Sequence, residues 1–287
     1  MSLLHARAPV AVPAAPVARP ELHLSGARLR AALEAAITGC EALGGIERYI
    51  AALQLKSQLF RDALREQDPR TVTRDTLVQL ASFMPTVRRR VGRALGDDAI
   101  ESLREATAAL LDEAGGTATT DGRLAAFVAA YPNERSYRWV RDFAAEVLHL
   151  VEPERYPLMT RWVWDAAANT GVLREIWYAP DTDRITLAVR DDYATFLALR
   201  EELAVFLTDN GCFRDLPWYV DLLQAQVYAE YLSAQGGTYL RTDFSTPDDP
   251  MQYTRRMLGL DGVQPGTGKL RTAAIEGRAF VLDPGHA

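Results

Sequence analysis

The segment from Leu216 to Ala234, LPWYVDLLQAQVYAEYLSA, carries apolar or aromatic side chains around nearly its whole helical circumference. Trp218, Tyr219, Val220, Leu222, Leu223, Val227, Tyr228, Tyr231 and Leu232 leave no wide polar stripe, so the pattern predicts a central helix buried by its neighbours. Asp215 and Pro217 open it, and Gly236-Gly237 follow its end. Gln226 and Glu230 fall in its most apolar sector, in line with Tyr219. A carboxyl buried there needs a cationic partner or a raised pKa, which makes Glu230 a candidate acid and Gln226 a candidate binding residue. A buried Glu–Arg pair that only holds the fold is the competing reading.

The rest of the chain supplies helices to cover such a core. Ser25 caps a helix through about Leu43, closed by Gly44-Gly45. Ile46, Tyr49, Ile50, Leu53, Phe60 and Leu64 mark a second, ending at Asp68-Pro69. Thr73–Met84 and Thr86–Leu95 read as two shorter helices around Pro85, and Asp97 caps one through Glu113. Short connections make an antiparallel helical bundle the expected form of 23–114. Gly115 to Gly122, small and polar, marks a border, so 123–260 reads as a second, helix-rich α+β portion. Its β content is a small hairpin, Val172–Tyr178 with Ile185–Arg190 around Asp181-Thr182-Asp183, and Thr238–Phe244 is a candidate third strand. Asp191 or Asp192 caps a helix ending at Asn210-Gly211, and Pro250 opens a short one ending at Gly259. Residues 1–22, with Pro9, Pro13, Pro16 and Pro20, read as a disordered tail, and 261–287 as an irregular one. The expected fold class is therefore mainly α.

Composition narrows the function classes. No window approaches the ~18 consecutive apolar residues of a spanning helix, so a soluble protein without a membrane role is expected. A net charge of −6 argues against generic adhesion to nucleic acid. Cys40 and Cys212 are the only cysteines. They lack paired spacing, which removes a disulfide framework or cysteine-rich zinc site and points to a reducing cytoplasm. Lysine occurs only at 56 and 269 among many arginines and alanines, a bias of GC-rich, bacterial-type coding. No metal set and no cofactor fingerprint is present. Gln264-Pro265-Gly266-Thr267-Gly268-Lys269-Leu270 resembles part of a phosphate-binding loop, but its first glycine is misplaced and Leu270 stands where a magnesium-binding hydroxyl belongs.

Chemistry concentrates between Phe127 and Tyr178, which holds four of the five tryptophans. From Trp139, apolar residues fall at 139, 140, 143, 144, 147, 148 and 151, a helical stripe that ends at Glu152-Pro153. Arg135, Arg138, Asp142, Glu146 and His149 project from the opposite side, with Arg138 and Asp142 spaced to pair. Arginines gripping a carboxylate or phosphate, with Asp142 or His149 moving a proton, is the functional reading; a solvated charged face is the alternative. A dyad of Cys212 with His149 has no local support. Pro157 to Asn169-Thr170-Gly171 reads as the next helix, with Leu158, Met159, Trp162, Val163, Ala166 and Ala167 inward. Trp164 then points outward beside Arg161, as an interface anchor or under another element. Arg88, Arg89, Arg90 and Arg93 form the strongest basic cluster, either a phosphate patch or a solvated face.

Two functional expectations follow. The first is a non-catalytic binding or accessory protein that docks a protein partner through Arg135, Arg138, Arg161 and Trp164. The second is an enzyme acting on an anionic small molecule or nucleotide, with arginines and Gln226 binding and Glu230, Asp142 or His149 as acid/base. Nucleic-acid binding through Arg88–Arg93 is a weaker third.

Overall fold

The computed structural model describes residues 19–96, 99–112, 114, 116–179, 185–235 and 250–261, together with 274, 275, 278 and 279. Ten α-helices stand among them. Residues 1–18, the Asp97 cap, the Asp181-Thr182-Asp183 turn, the 238–244 strand and the 264–270 loop lie outside the described residues, as does most of the tail from 261.

Helix α1 (Gly26–Cys40) starts where Ser25 accepts a hydrogen bond from the Arg28 N–H, satisfying one of the donors a helix start leaves over. Gly44 and Gly45, both at φ +92°, then turn the chain into α2 (Ile46–Leu64). Thr73 caps α3 (Arg74–Ser82). Residues 86–95 do not continue as an α-helix: turns lead into a 3-10 segment, Val91–Leu95. Val87 and Arg88 both face the interior there. Helix α4 (Ile100–Leu110) is followed almost at once by α5 (Thr120–Ala129), so Gly122, expected in a flexible border, lies inside a helix.

The centre is built from α6 (Trp139–Val151) and, as expected, α9 (Leu216–Ala234), both buried nearly all round. Helix α2 packs on both, α1, α8 (Tyr193–Asp209) and α10 (Gln252–Leu258) pack on α9, and α5 covers α6. Asp192 caps α8 through the Thr195 N–H. Buried apolar side chains from Leu29 to Leu260 form one cluster.

Two expectations about 157–190 are corrected. Residues 157–170 are turns, not a helix. Their backbone bonds to the chain that follows, with Val172 N–H donating to the Trp162 carbonyl and Leu173 N–H to that of Val163. Gly171, at φ +125°, permits this fold-back, because a Cβ there would stand 2.7 Å from the Val163 oxygen. The hairpin is also absent among the described residues. Val172–Glu175 is a short helix, α7. Residues 176–178 pair instead with the amino-terminal stretch, where Ser25 N–H donates to the Ile176 carbonyl and Tyr178 N–H to that of His23, both at 2.7 Å. Ile185–Arg190 forms no regular element, and side chains meet part of its polar backbone. Asn169 donates to the Ile185 carbonyl and accepts from the Leu187 N–H, and Arg174 also donates to Ile185. Among the described residues strand pairing is otherwise a two-residue ladder, Ala274–Ile275 against Arg278–Ala279, and isolated bridges.

Candidate functional site

The polar side of α6 is where sequence and structure diverge most. Arg135 and Arg138 are exposed, but Asp142, Glu146 and His149 are 2%, 4% and 2% exposed. A solvated face is therefore the wrong picture for the last three, and each has acquired a partner from another element. Asp142 takes the Arg161 backbone N–H at 3.0 Å, its Nε at 3.3 Å and its Nη2 at 2.9 Å. Three donors on one carboxylate anchor the 157–170 segment to α6 and hold the Arg161 guanidinium more firmly protonated still, although its partial burial acts the other way. The expected Arg138–Asp142 pair does not form. Arg138 reaches Asp165 instead, at 3.9 Å, and its carbonyl accepts from Arg161.

Trp164 is fully buried, and its Nε1 donates to the Val189 carbonyl at 3.2 Å. The outward direction assumed for it rested on a helix that 157–170 does not form. With the chain turning there, Trp162, Val163 and Trp164 can all enter the core.

Arg138 and Arg161 do meet, on one wall of a groove of about 920 Å³ between α5 and the loops that follow α6 and precede α8. Arg141 and Arg190 also line it, with Leu124, Val128 and Tyr131 as apolar neighbours and Asp121, Glu134, Asp165, Asp191 and Asp192 as carboxylates among the arginines. Arg141 is held by Asp191 at 2.6 Å and by the Asp191 carbonyl, and Arg190 pairs with Asp192. Arg138 has the longest ion pair of the four, its carboxylate being at the edge of range; its side chain is 55% exposed, against 20% for Arg161 and 78% for Arg190, which holds Asp192 closely. None of Glu230, Asp142, His149 and Gln226 lines the groove.

Gln226 is buried, donates to Glu230 at 3.0 Å and accepts from Thr254 at 2.7 Å. Glu230 itself is exposed. It lies one turn beyond Gln226, past the cover that Thr254 of α10 provides, so the expected buried acid is not there.

The buried acids are elsewhere. Lys56 of α2, Glu146 and His149 of α6 and Asp221 of α9 meet around a cavity of about 20 Å³. Lys56 Nζ lies 3.4 Å from Glu146 Oε2 and donates to the Leu258 carbonyl at 2.9 Å. His149 has Nδ1 2.8 Å from the Tyr156 carbonyl and Nε2 2.7 Å from Asp221 Oδ2. A carbonyl only accepts, so Nδ1 must carry a proton. The contact to Asp221 then needs a second proton, making the pair an imidazolium facing a carboxylate or its neutral equivalent. Burial opposes the charged ring, yet the charge and hydrogen bond of Asp221, with the Tyr156 carbonyl, raise the His149 pKa. Burial pushes Glu146 up to about 7, against Lys56 and with Asp142, and pulls Lys56 down against the attraction of Glu146. The cavity has room for about one water molecule, too little for a substrate.

Other candidates lose their chemistry to local bonding. Both ring nitrogens of His149 are engaged, and burial pushes the Cys40 thiol up to about 12 and raises that of Cys212, so neither is primed as a thiolate. Arg88 is 3% exposed and grips Asp261 through two 2.6 Å bonds, which takes it out of any phosphate patch. Among the described residues no cluster of three or more His, Cys, Asp or Glu could hold a metal ion, and no helix is long and apolar enough to cross a membrane.

Sequence reasoning passed over Lys56, Asp221, Arg141 and Arg190. The first two had a signal: Lys56 sits on the same stripe as Leu53 and Phe60, and Asp221 lies within the all-round apolar helix. No family model, curated protein or solved structure matches the chain.

Proposed function

We propose that this chain is a non-catalytic binding protein that docks an acidic segment of a protein partner in the groove between α5 and the Arg138–Arg161 wall. One observation carries the reading. Arg138 stands on that wall more than half exposed, with its carboxylate partner only at 3.9 Å, so its guanidinium can take a partner carboxylate in a bidentate pair. Arg161 beside it is already oriented by Asp142. Apolar residues beside charged ones have the composition of a protein-docking surface. An absence of cysteine pairing, with Cys40 and Cys212 both free, fits a cytoplasmic setting.

The test is capture of partners from the native host on immobilised full-length protein, wild type against Arg138→Glu and Arg138→Glu/Arg190→Glu. The interaction is then remeasured with the purified partner. Reversing the wall's charge sets like charges together and should weaken binding about tenfold or more. Raising salt should weaken the wild type but hardly alter the variants. A partner held equally by all three forms refutes the groove. Loss of binding to a small anion, with no protein partner displaced, would move the reading to an anionic small molecule.

A further inference from the structure

Two residues that line the cavity among Lys56, Glu146, His149, Asp221 and Trp162 carry unpartnered polar atoms. Glu146 Oε1 and Trp162 Nε1 are buried without a hydrogen-bond partner, and both residues line the cavity. Their side chains are nine-tenths or more covered, at 4% and 5% exposure. A buried carboxylate oxygen and a buried indole N–H each carry a large desolvation cost when unmet, so such atoms are rarely orphaned in a folded protein. Lys56 adds a third group. Its ammonium has three donors, of which Glu146 Oε2 and the Leu258 carbonyl take two.

We infer that one water molecule is an integral part of this site, accepting from Trp162 Nε1 and Lys56 Nζ and donating to Glu146 Oε1. A volume of about 20 Å³ exceeds the roughly 10–15 Å³ that a single water needs, and three hydrogen bonds is the usual number for a buried one. The lining decides between wet and dry. Leu53, Leu150 and Leu158 alone would make an apolar void that stays dry, but Trp162, Lys56 and Glu146 line it too. The water also completes the charge arrangement. Ionised Lys56 and Glu146 with ionised His149 and Asp221 sum to zero, and the water gives the Glu146 carboxylate the donor it lacks on Oε1. The groups facing Glu146 are Lys56 from α2, Asp142 and His149 from its own helix, and Asp221 from α9. The Leu258 carbonyl of α10 closes the far side through Lys56.

Two measurements on the full chain test this. In a high-resolution crystal structure, one peak should lie within hydrogen-bond distance of Glu146 Oε1, Trp162 Nε1 and Lys56 Nζ. In solution, the Trp162 indole N–H, assigned by its loss in Trp162→Phe, should show a direct cross-relaxation peak to water, and Glu146→Leu should abolish that peak. Glu146→Gln, which keeps an acceptor, should retain it. A cavity without density, a Trp162 N–H bonded to a protein acceptor, or a missing water cross-peak in wild type would each overturn the assignment. A wild-type readout stands in both measurements, so a variant that fails to fold does not decide the matter.

Discussion

Replacing Lys56 by methionine should destabilise the protein by an amount that depends on pH, and the dependence separates a working ion pair from a mere packing position. Methionine keeps most of the side-chain volume and removes the ammonium that faces Glu146 Oε2 at 3.4 Å and the Leu258 carbonyl at 2.9 Å. At pH 8 Glu146, whose pKa stands at about 7, is mostly ionised in the wild type. The variant, whose Glu146 pKa climbs further, keeps the proton there, so the substitution costs about 1.4 kcal/mol more at pH 8 than at pH 5. At pH 5 Glu146 holds its proton in both proteins. There the substitution removes a buried cation that lacks an ionised Glu146, and the cost should fall to about 1 kcal/mol, the size of one lost hydrogen bond.

The sign follows from linkage. The folded-state pKa of Glu146 is raised, so its contribution to stability is fully present below the unfolded value and is lost as pH rises through the folded one. Without Lys56 that folded pKa climbs further. Wild type stops losing stability near pH 7, while the variant continues to lose about 1.4 kcal/mol per pH unit above it. Lys56, with its own pKa lowered, widens the gap in the same direction at higher pH. Urea unfolding of both proteins between pH 5 and 8, at constant slope, reads the difference directly. A cost that is the same at both ends, or close to zero at pH 8, would refute the pair.

Three further perturbations follow from the packing. Gly259 sits at φ +72°, where a Cβ would lie 1.8 Å from the Phe83 oxygen, so Gly259→Ala should lose well over 1 kcal/mol of stability by urea unfolding. Trp164→Ala should cost about 3–5 kcal/mol as a core deletion, seen as a lowered Tm. Arg88→Met leaves Asp261 without its two 2.6 Å bonds and should cost about 3–5 kcal/mol in the same unfolding assay, because a nearly buried pair is broken from one side.

The helices that were legible in the sequence are those with chemical punctuation. Ser25, Thr73 and Asp192 cap as their residue types require, and Gly44, Gly211 and Gly259 all stand at positive φ where helices end. Helix α9 was legible for a different reason: an apolar circumference has no stable exposed form. The segment 157–170 was not, since its apolar spacing fits a helix equally well. What decides it is a set of bonds to Asp142 and to residues 172 and 173 that no local pattern announces. The polar side of α6 failed in the same way. Its pattern marked which residues share a side, but the partners that turn that side inward come from 90 residues away for Glu146 and 72 for His149.

That polar side also explains how one helix can serve both the core and the groove. Charges are expensive to bury singly, so an interior that contains Lys56, Glu146, His149 and Asp221 is tolerable only as a balanced set. Together these four side chains make three inter-helix joints: α2 to α6, α6 to α9, and α2 to α10 through the Leu258 carbonyl. Nearer the start of α6 the same stripe changes role. Asp142 spends its charge inward on Arg161, and Arg138, one turn earlier, reaches the surface with only the 3.9 Å contact to Asp165. A binding arginine is most useful where its neighbours are rigid, since little freedom is then lost when a ligand arrives. The buried joints fix α6, and Asp142 fixes Arg161. In the proposed docking role Arg138 is then the adjustable cation beside a fixed one, and substitutions in the buried set should reach the groove only by way of stability.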